Sequence, residues 1–465
     1  MGVGSLTDWL AGPALAADLA CVEDLVDPHA FEATAILHQM EGAPGGPPPV
    51  LFPRARALDG SESAFRLAFN AYGSLAGTAA SLGVTADTWP ELLEQYTAIV
   101  STPRAVQVVD GAAVHEHVRR GDDIDLGCLP WVRHVAMDGG PYFTPIVVAR
   151  EPGTARYNLS WNRAMHLGPR HLSVHISPRH LWAHHREAEE AGQDLPVAIV
   201  LGHHPAFNLA SAALTTITDD EYEVAGALLG EGVRVTPSLS YGHDLLVPAD
   251  AEIILEGRLL AGTRAVEGPF GEYLRYVGPQ KLSHVVEVDA MTWREGATVL
   301  EVFTGYADHL NAHISIEASL LEKARSAVPQ TTAVSWFRGG GPTTLVIAMR
   351  KTLEGQPMRA ALAAMAASNI VKQVIVVDDD VDIEDSHEVL WAVSTRVRAD
   401  EDITILKNLQ GNLLDPSQHG YGKASGFVMD ATKPLDSPYP PPARVPDEAI
   451  ARFPLDRYEI TRPAC

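Results

Sequence analysis

The sequence predicts a mixed protein of the α+β and α/β classes, because three regions differ in residue pattern. Near the N-terminus, apolar residues recur at helical spacing. Residues 126–303 instead carry short β-branched runs broken by Gly and Pro, which is typical of a strand-rich domain, and a barrel is one arrangement for it. From residue 344 onward, strand and helix patterns alternate, which predicts a separate α/β domain. The 465 residues suggest roughly two or three domains.

The N-terminal region is predicted to be helical. Apolar residues at helical spacing indicate helices at 5–20, 29–40 and 89–99. A stretch rich in Pro and Gly, at 42–49, separates two of them. These helices are expected to pack on the strand-rich region that follows.

Five β-branched runs in the middle of the chain predict strands, at 142–148, 195–201, 252–256, 282–288 and 298–303. Glycine and proline residues between the runs mark turns.

The C-terminal region begins with a predicted helix at 314–327. It is followed by a strand at 344–349, a helix at 357–367, a strand at 371–377 and a helix at 387–397. Six prolines between residues 434 and 446 predict an extended tail, because proline cannot continue regular hydrogen bonding.

Composition excludes several classes of function. The formal net charge is -24, with no basic stripe, so the chain repels polyphosphate backbones and nucleic acid is not expected as a partner. No apolar run reaches the length of about 20 residues that spans a bilayer. The three cysteines, Cys21, Cys128 and Cys465, form no Cys-x-x-Cys pair, which favours a reducing cytoplasm.

The segment 267–272, Glu-Gly-Pro-Phe-Gly-Glu, places two carboxylates on either side of a predicted turn. Because a turn fixes the backbone, Glu267 and Glu272 could point into one cavity. Paired acids suit proton transfer when burial and a neighbouring guanidinium separate their protonation states. On spacing alone, two solvated turn carboxylates remain the simpler interpretation.

A second segment, 157–163, reads Tyr-Asn-Leu-Ser-Trp-Asn-Arg and is followed by several histidines up to His204. An Asn oxygen and a neutral imidazole are suitable ligands for a divalent ion beside a phosphate. Scattered histidines are, however, more often ordinary core or surface residues, and no His-Glu-x-x-His run is present. The spacing therefore leaves the metal interpretation open.

Taken together and in order, these segments resemble the UbiD family of reversible decarboxylases, which use prenylated FMN. The resemblance covers nearly the whole chain and is strongest at 158–163, 247–252 and 256–272. Weaker agreement continues through 390–392 and 430–434.

The resemblance implies reversible, non-oxidative decarboxylation of an α,β-unsaturated or aromatic carboxylic acid. The catalytic Glu-Arg-Glu network of the family would be Glu267, Arg163 and Glu272, with Glu272 delivering the proton that replaces CO2. A flavin prenyltransferase would supply the cofactor. The residues implied to contact the cofactor are Asn158, Ser160, Trp161, Arg163, Arg179, His180, Ser211 and His387.

By the same resemblance, Asn158 and His180 would hold Mn²⁺, with K⁺ nearby, against the flavin phosphate. The third ligand of the family is a Glu, and aligning it from the Val-Pro pair puts Tyr241 in its place. His243 and Asp244 are the alternative ligands. His387 stands where some relatives carry a Lys that reaches the phosphate, and a histidine there would be a pH-dependent anchor.

The resemblance also implies a domain order. Residues 1–120 would form an N-terminal α/β part packed on the cofactor domain, and 121–310 a split β-barrel that binds prenylated FMN. A linker helix at 311–330 would lead to a C-terminal α/β domain at 331–433, followed by an extended tail at 434–465. Relatives associate through the C-terminal part, so a homodimer or larger homo-oligomer is expected.

Three other interpretations stay open on the sequence. The chain could be a decarboxylase with an altered cofactor mode, or one that works mainly in the carboxylating direction. A flavin-binding or assembly protein without catalysis is motivated by Tyr241 and His387, although retention of the Glu-Arg-Glu set argues against it. A histidine-based metallohydrolase would instead bind zinc and show no flavin absorbance.

Overall fold

A computed structural model describes residues 4–419, 422–443, 445–454 and 457–458. Its helices commonly start at a side chain that caps free backbone N–H groups, as Ser74 and Thr88 do. The helices are α1 Leu6–Leu10, α2 Glu32–Met40, α3 Leu75–Ser81, α4 Trp89–Val100, α5 His180–Glu190, α6 Pro205–Ser211, α7 Glu221–Leu229, α8 Ala307–Ala312, α9 Ile314–Ala327, α10 Gln356–Ala367, α11 Ser386–Arg396 and α12 Asp447–Arg452.

The strands fall mostly in the β-branched runs. They are β1 Ala20–Cys21, β2 Val50–Phe52, β3 Arg66–Phe69, β4 Gln107–Val108, β5 His117–Arg120, β6 Tyr142–Phe143, β7 Ile146–Arg150, β8 Tyr157–Trp161, β9 Ala164–Gly168, β10 His171–Val174, β11 Leu195–Val200, β12 Arg234–Ser238, β13 Gly242–Pro248, β14 Ile253–Glu267, β15 Phe270–Gly271, β16 Val277–Gly278, β17 Lys281–Trp293, β18 Thr298–Leu300, β19 Thr331–Trp336, β20 Thr344–Met349, β21 Gln373–Asp378, β22 Ile403–Gln410 and β23 Lys423–Ala431.

The largest sheet curls into a half-barrel and carries most of the candidate site. Its order is β6-β9-β10-β17-β14-β11-β7-β8, with β5 paired to β17. The long strands β14 and β17 run antiparallel from Ile253 opposite Trp293 to Glu267 opposite Lys281. Register shifts interrupt this pairing, and such irregularities let a sheet bend.

Alternate residues of the half-barrel strands enter two different cores. Ile254 packs in the cluster that continues through α9 into β19 and β20, whereas Ile253 and Leu255 pack in the cluster on the other face. This alternation follows from the two-residue period of a strand. Helix α9 therefore belongs to a core shared by the half-barrel and the C-terminal part, and it fixes one against the other.

The C-terminal sheet has the order β19-β20-β21-β23-β22. Strands β20, β21 and β23 are parallel, and β19 and β22 are antiparallel edge strands. This agrees with the predicted α/β unit. A smaller sheet, β1-β2-β3-β18, joins the N-terminal part to the middle of the chain.

Three sequence predictions needed correction. The first helix ends at Leu10 instead of residue 20, because Gly12 and Pro13 follow and the residue before proline disfavours helix. The run 142–148 is two strands, β6 and β7, with Thr144 and Pro145 between them. The tail contains helix α12, and its part beyond residue 458 lies outside the described residues.

Among the described helices, none is both long enough and apolar enough to cross a lipid bilayer.

Candidate active site

The structure brings the predicted arginine and both glutamates together. Arg163 lies in the turn between β8 and β9, and its Nε and Nη2 donate to the two carboxylate oxygens of Glu267 at 2.8 and 3.1 Å. Its Nη1 donates to Oε1 of Glu272, which follows β15. One guanidinium thus bridges two acids that are 104 and 109 residues away in sequence.

The two carboxylates differ in their surroundings. Glu267 is fully buried and accepts two further hydrogen bonds, from Tyr142 Oη at 3.0 Å and Ser283 Oγ at 3.2 Å. Glu272 has 13% of its side chain exposed, and among the described residues Arg163 is the hydrogen-bond partner of its carboxylate. Sequence reasoning missed Tyr142 and Ser283, because a lone Tyr and a lone Ser on strands carry no motif.

Burial and charge act in opposite directions on Arg163. Burial alone would lower the pKa of this guanidinium, but Glu272 and Glu267 outweigh burial and raise it. The Arg163 guanidinium also lies 5.0 Å from the ring centre of Phe270, which covers it on the hairpin side. The arginine is therefore held as a permanent cation in a fixed place.

The hairpin that carries Glu272 is anchored from the far side. Asp138 Oδ1 accepts from Gly271 N at 3.0 Å, and Asp138 Oδ2 accepts from the backbone N–H groups of His134 and Val135. Burial raises the pKa of Asp138, opposed by these hydrogen bonds. The anchor fixes the backbone immediately before Glu272.

A cavity of about 320 Å³ opens in front of Arg163 and Glu272. The half-barrel contributes Trp161 and His175, and the C-terminal part contributes Ile370, Asn412 and Leu414. Five of the predicted cofactor contacts line this cavity: Ser160, Trp161, Arg163, Arg179 and Ser211. The cavity therefore lies between the two parts of the molecule that α9 joins.

Asn158 and His180 lie together at one carboxylate, Glu221 at the start of α7. Glu221 Oε2 accepts from Asn158 Nδ2 at 2.7 Å and from the backbone N–H of Leu159 at 2.6 Å. Glu221 Oε1 lies 3.2 Å from His180 Nδ1 and accepts from Thr215 Oγ1 at 2.7 Å. The hydrogen bond to Glu221 raises the pKa of His180 against the effect of burial.

The donor set fits a divalent cation. Asn158 Oδ1 is buried and has no hydrogen-bond partner among the described residues, so it is free to coordinate. An amide oxygen, a carboxylate and an imidazole are ligand types that Mn²⁺ accepts. Among the described residues no group of three His, Cys, Asp or Glu is placed to hold a metal, and the set described here contains only two such residues beside its Asn.

Glu221 replaces Tyr241 as the candidate third ligand. Tyr241 donates its hydroxyl to Asp289 Oδ2 at 2.5 Å, on β17. His243 is exposed and so is Asp244, whose side chain is 90% exposed. Sequence alignment from the Val-Pro pair failed here because Glu221 follows two aspartates and looks like an ordinary acid in the first turn of a helix.

His387 lies away from the cavity. Its side chain is 98% exposed on the first turn of α11, and its Nδ1 lies 3.2 Å from Asp385 Oδ1. Asp385 also caps α11 by accepting from the His387 backbone N–H. The contact with a cofactor phosphate predicted for His387 therefore does not occur in this arrangement.

Comparison with known proteins identifies the family. Residues 106–307 match the 3-octaprenyl-4-hydroxybenzoate carboxy-lyase Rift-related domain, and residues 309–431 match the C-terminal domain of the same carboxy-lyase. These matches define a carboxy-lyase, as the Glu-Arg-Glu site suggested. The chain belongs to the UbiD family.

Curated relatives are decarboxylases. An anhydromevalonate phosphate decarboxylase of Methanothermobacter thermautotrophicus is 34% identical over 68% of this chain and 75% of its own length. A phenolic acid decarboxylase of a Streptomyces species is 30% identical over 80% of each chain. The resemblance drawn from the sequence is thereby confirmed.

Solved structures agree over nearly the whole length. The UbiD-class enzyme HmfF from Pelotomaculum thermopropionicum, in complex with FMN, has a TM-score of 0.90 and 38% identity and covers 98% of this chain and 100% of its own. An evolved dimeric form of HmfF, in complex with prFMN, has a TM-score of 0.86 and 35% identity, with the same two coverages.

Proposed function

We propose that this protein catalyses the reversible, non-oxidative decarboxylation of an α,β-unsaturated or aromatic carboxylic acid, with prenylated FMN as cofactor. The observation that carries the proposal is the bridge of Arg163 between Glu267 and Glu272 at the wall of a cavity. The HmfF complexes with FMN and prFMN support the cofactor. The phenolic acid decarboxylase relative supports an aromatic acid.

The cofactor supplies chemistry that side chains lack. Loss of CO2 from an sp² carbon leaves an electron pair that the neighbouring π system cannot delocalise, and prenylated FMN, when bound, provides the electron sink. Ser160, Arg179 and Ser211 would hold its polar parts along the cavity. Asn158, His180 and Glu221 would hold Mn²⁺ against its phosphate, with K⁺ nearby.

The protein's own part is to place and supply a proton. In the forward direction the bond between the substrate carbon and its carboxylate breaks, and the electron pair of that bond ends in the new C–H bond that a proton from Glu272 forms. Glu272 then takes a proton from water. Glu272 suits this role because it faces the cavity with one partner, whereas Glu267 accepts four hydrogen bonds and serves to fix Arg163.

The alternative, a flavin-binding or assembly protein without catalysis, is no longer favoured. It depended on a missing carboxylate at the metal ligands, and Glu221 provides one.

Several finer features belong to the same proposal. The half-barrel would be the split β-barrel of the cofactor domain, with the domain boundaries given above. Exposed apolar side chains on the C-terminal part, Leu390, Trp391 and Ile405, support self-association as a homodimer or larger assembly. A flavin prenyltransferase would provide the cofactor. The free thiols of Cys21 and Cys128 fit a cytoplasmic location.

Glu272→Gln tests the proposed reaction. The change removes the transferable proton and little volume, so turnover of an aromatic acid should fall by a factor on the order of 10³ or more while flavin content stays unchanged. CO2 release by the purified protein, coexpressed with a prenyltransferase, is the measurement.

Glu295→Gln is the control for this change. The Glu295 side chain is 85% exposed and contacts His117 on β5, so the same chemical substitution there should leave turnover at the wild-type level. Nearly wild-type turnover in Glu272→Gln would show that Glu272 does not supply the proton.

A further inference from the structure

His175 lies in the cavity wall beside Arg163 and has no role in the proposed reaction so far. Its backbone N–H donates to the Arg163 carbonyl at 3.1 Å, and its own carbonyl accepts from Asn162 Nδ2 at 3.0 Å. These bonds tie the position of His175 to the turn that carries the catalytic arginine. His175 is one of the residues that line the cavity.

Lys281 lies behind the imidazole. It begins β17, directly opposite Glu267 in the pairing with β14, and its Nζ is 3.1 Å from His175 Nε2. A charged lysine has three N–H donors and no acceptor, so Nε2 of the neutral imidazole accepts at this contact. The single hydrogen of the neutral ring then resides on Nδ1, which makes no hydrogen bond with the described residues.

The imidazole is kept neutral by its surroundings. Burial lowers the pKa of His175 to about 3, and the positive charges of Arg163, Lys281 and His284 act in the same direction. Burial and Arg163 also lower the pKa of Lys281, while Glu267 and Glu272 oppose them. Charged or titratable groups around the ring and along the same cavity are Arg163, Arg179, Glu267, Glu272, Tyr273, Lys281, His284, His309 and His313.

We propose that His175 binds the carboxylate of the substrate through a neutral Nδ1–H, and that Lys281 is a positioning residue that fixes this tautomer. The inference rests on the proposed decarboxylation. It adds a group that recognises the acid itself, as distinct from the proton donor Glu272.

A neutral donor suits this reaction better than a second cation. Decarboxylation turns a charged carboxylate into neutral CO2, so a group that stabilises the carboxylate far more than the transition state raises the barrier. A hydrogen bond from a neutral N–H is weaker than one from a cation. Lys281 polarises the ring from behind without needing to touch the substrate.

Equilibrium binding of benzoate and benzamide to the flavin-loaded protein tests the assignment. Benzoate carries the carboxylate, and benzamide has the same ring without the charge. His175→Leu should weaken benzoate binding about tenfold and leave benzamide binding nearly unchanged, because one hydrogen bond to a charged group is lost. His175→Gln, which keeps a neutral N–H donor, should restore most of the benzoate affinity. Flavin content equal to wild type verifies folding of each variant.

Benzoate binding at several pH values also tests Lys281. In the wild type, binding should be flat between about pH 7 and 5, because His175 stays neutral in this range. Lys281→Met removes the donor that fixes the tautomer but leaves burial to keep the ring neutral, so benzoate binding should weaken severalfold across this pH range. Lys281→Arg keeps a charged donor and should retain most of the wild-type affinity.

Two results would overturn the inference. One is wild-type benzoate affinity in His175→Leu, and the other is wild-type benzoate affinity in Lys281→Met. Because binding is measured without turnover, these results leave the role of Glu272 undecided. Conversely, an inactive wild-type protein that still binds benzoate through His175 would contradict the proposed reaction alone.

Discussion

At the scale of single residues, the site depends on a difference between two chemically identical groups. Glu267 accepts four hydrogen bonds at the end of β14, and Glu272 accepts one in the hairpin beyond it. Arg163 is shared between them, so the position of the Glu272 carboxylate is set by one ion pair and by the space around it. That space is limited by Gly278 on β16.

Gly278→Ala is predicted to displace the Glu272 carboxylate. A Cβ at position 278 would overlap Glu272 Oε1 and approach its Cγ to 2.9 Å, so the Glu272 side chain must shift from its observed position beside Arg163. A shift of about 1 Å in a reacting group can cost on the order of 10²-fold in rate, and we expect a loss of that size in kcat. Steady-state kinetics with an aromatic acid is the measurement.

Gly168→Ala is the matched control for this change. Gly168 ends β9 in the half-barrel sheet, and a Cβ there meets nothing within 4 Å. Its kcat should stay close to wild type. Equal activity of the two alanine variants would show that catalysis does not depend on the observed position of the Glu272 carboxylate.

At the scale of elements, helix α7 delivers the carboxylate that sequence alignment could not find. Asp220 caps α7 by accepting from Tyr222 N at 3.0 Å, and Glu221 is therefore the first residue of the helix. From there its carboxylate faces strand β8 and the start of α5, where Asn158 and His180 lie. Under the proposed function a bare carboxylate here would repel the flavin phosphate, and the proposed Mn²⁺ would offset that repulsion.

Glu221→Ala is predicted to lower the bound Mn²⁺. Loss of the carboxylate removes the one anionic ligand of the set, and we expect metal affinity to fall on the order of 100-fold, with flavin lost in parallel. Metal per chain is measured by mass spectrometry after dialysis. Tyr241→Phe serves as the control and should keep its metal. If Tyr241→Phe loses manganese and Glu221→Ala does not, the ligand assignment is wrong.

At the scale of the whole molecule, the cavity is formed by two parts that share a core through α9. Its rear wall contains Thr144, whose backbone N–H and hydroxyl both donate to the buried carboxyl of Glu301. Burial raises the pKa of Glu301 to about 8 and that of Asp308 to about 7. These acids support the wall of the cavity without reaching it.

The stability of the protein is predicted to fall in mildly alkaline solution. Folded Glu301 holds its proton up to about pH 8, whereas an unfolded Glu releases it near 4.5, so its contribution is complete below 4.5 and declines as the pH rises. Asp308 is half ionised at about pH 7 and adds a smaller loss above it, and His134 acts in the opposite direction only below 6.5. Between about pH 7 and 8 the free energy of unfolding should therefore drop by about 1 kcal/mol.

Glu301→Gln isolates this effect. The amide resembles the protonated acid, so the variant should lose less stability over the same range when unfolded by urea at several pH values. Parallel curves for both proteins would mean that Glu301 does not hold a proton in the folded state.

Much of the fold could be predicted from local pattern. The sequence predicts helix α9 and strand β20 with the observed bounds, because each has an uninterrupted pattern of apolar residues and clear ends. The first helix was predicted too long, because its apolar residues continue past a Gly-Pro pair that ends it. The sequence predicts five residues for strand β14, which has fifteen. The C-terminal half of this strand leaves the core, so its residues no longer form an apolar run that predicts a strand.

The sequence by itself determined the family, the order of the elements and the three charged residues of the site, because motifs such as 267–272 are local and ordered along the chain. Only the tertiary structure decided which groups surround them. Tyr142, Ser283, Glu221, His175 and Lys281 lie far apart along the chain, and none carries a local pattern that marks its role. Their function arises from long-range packing, which fixes distances that spacing along a chain does not encode.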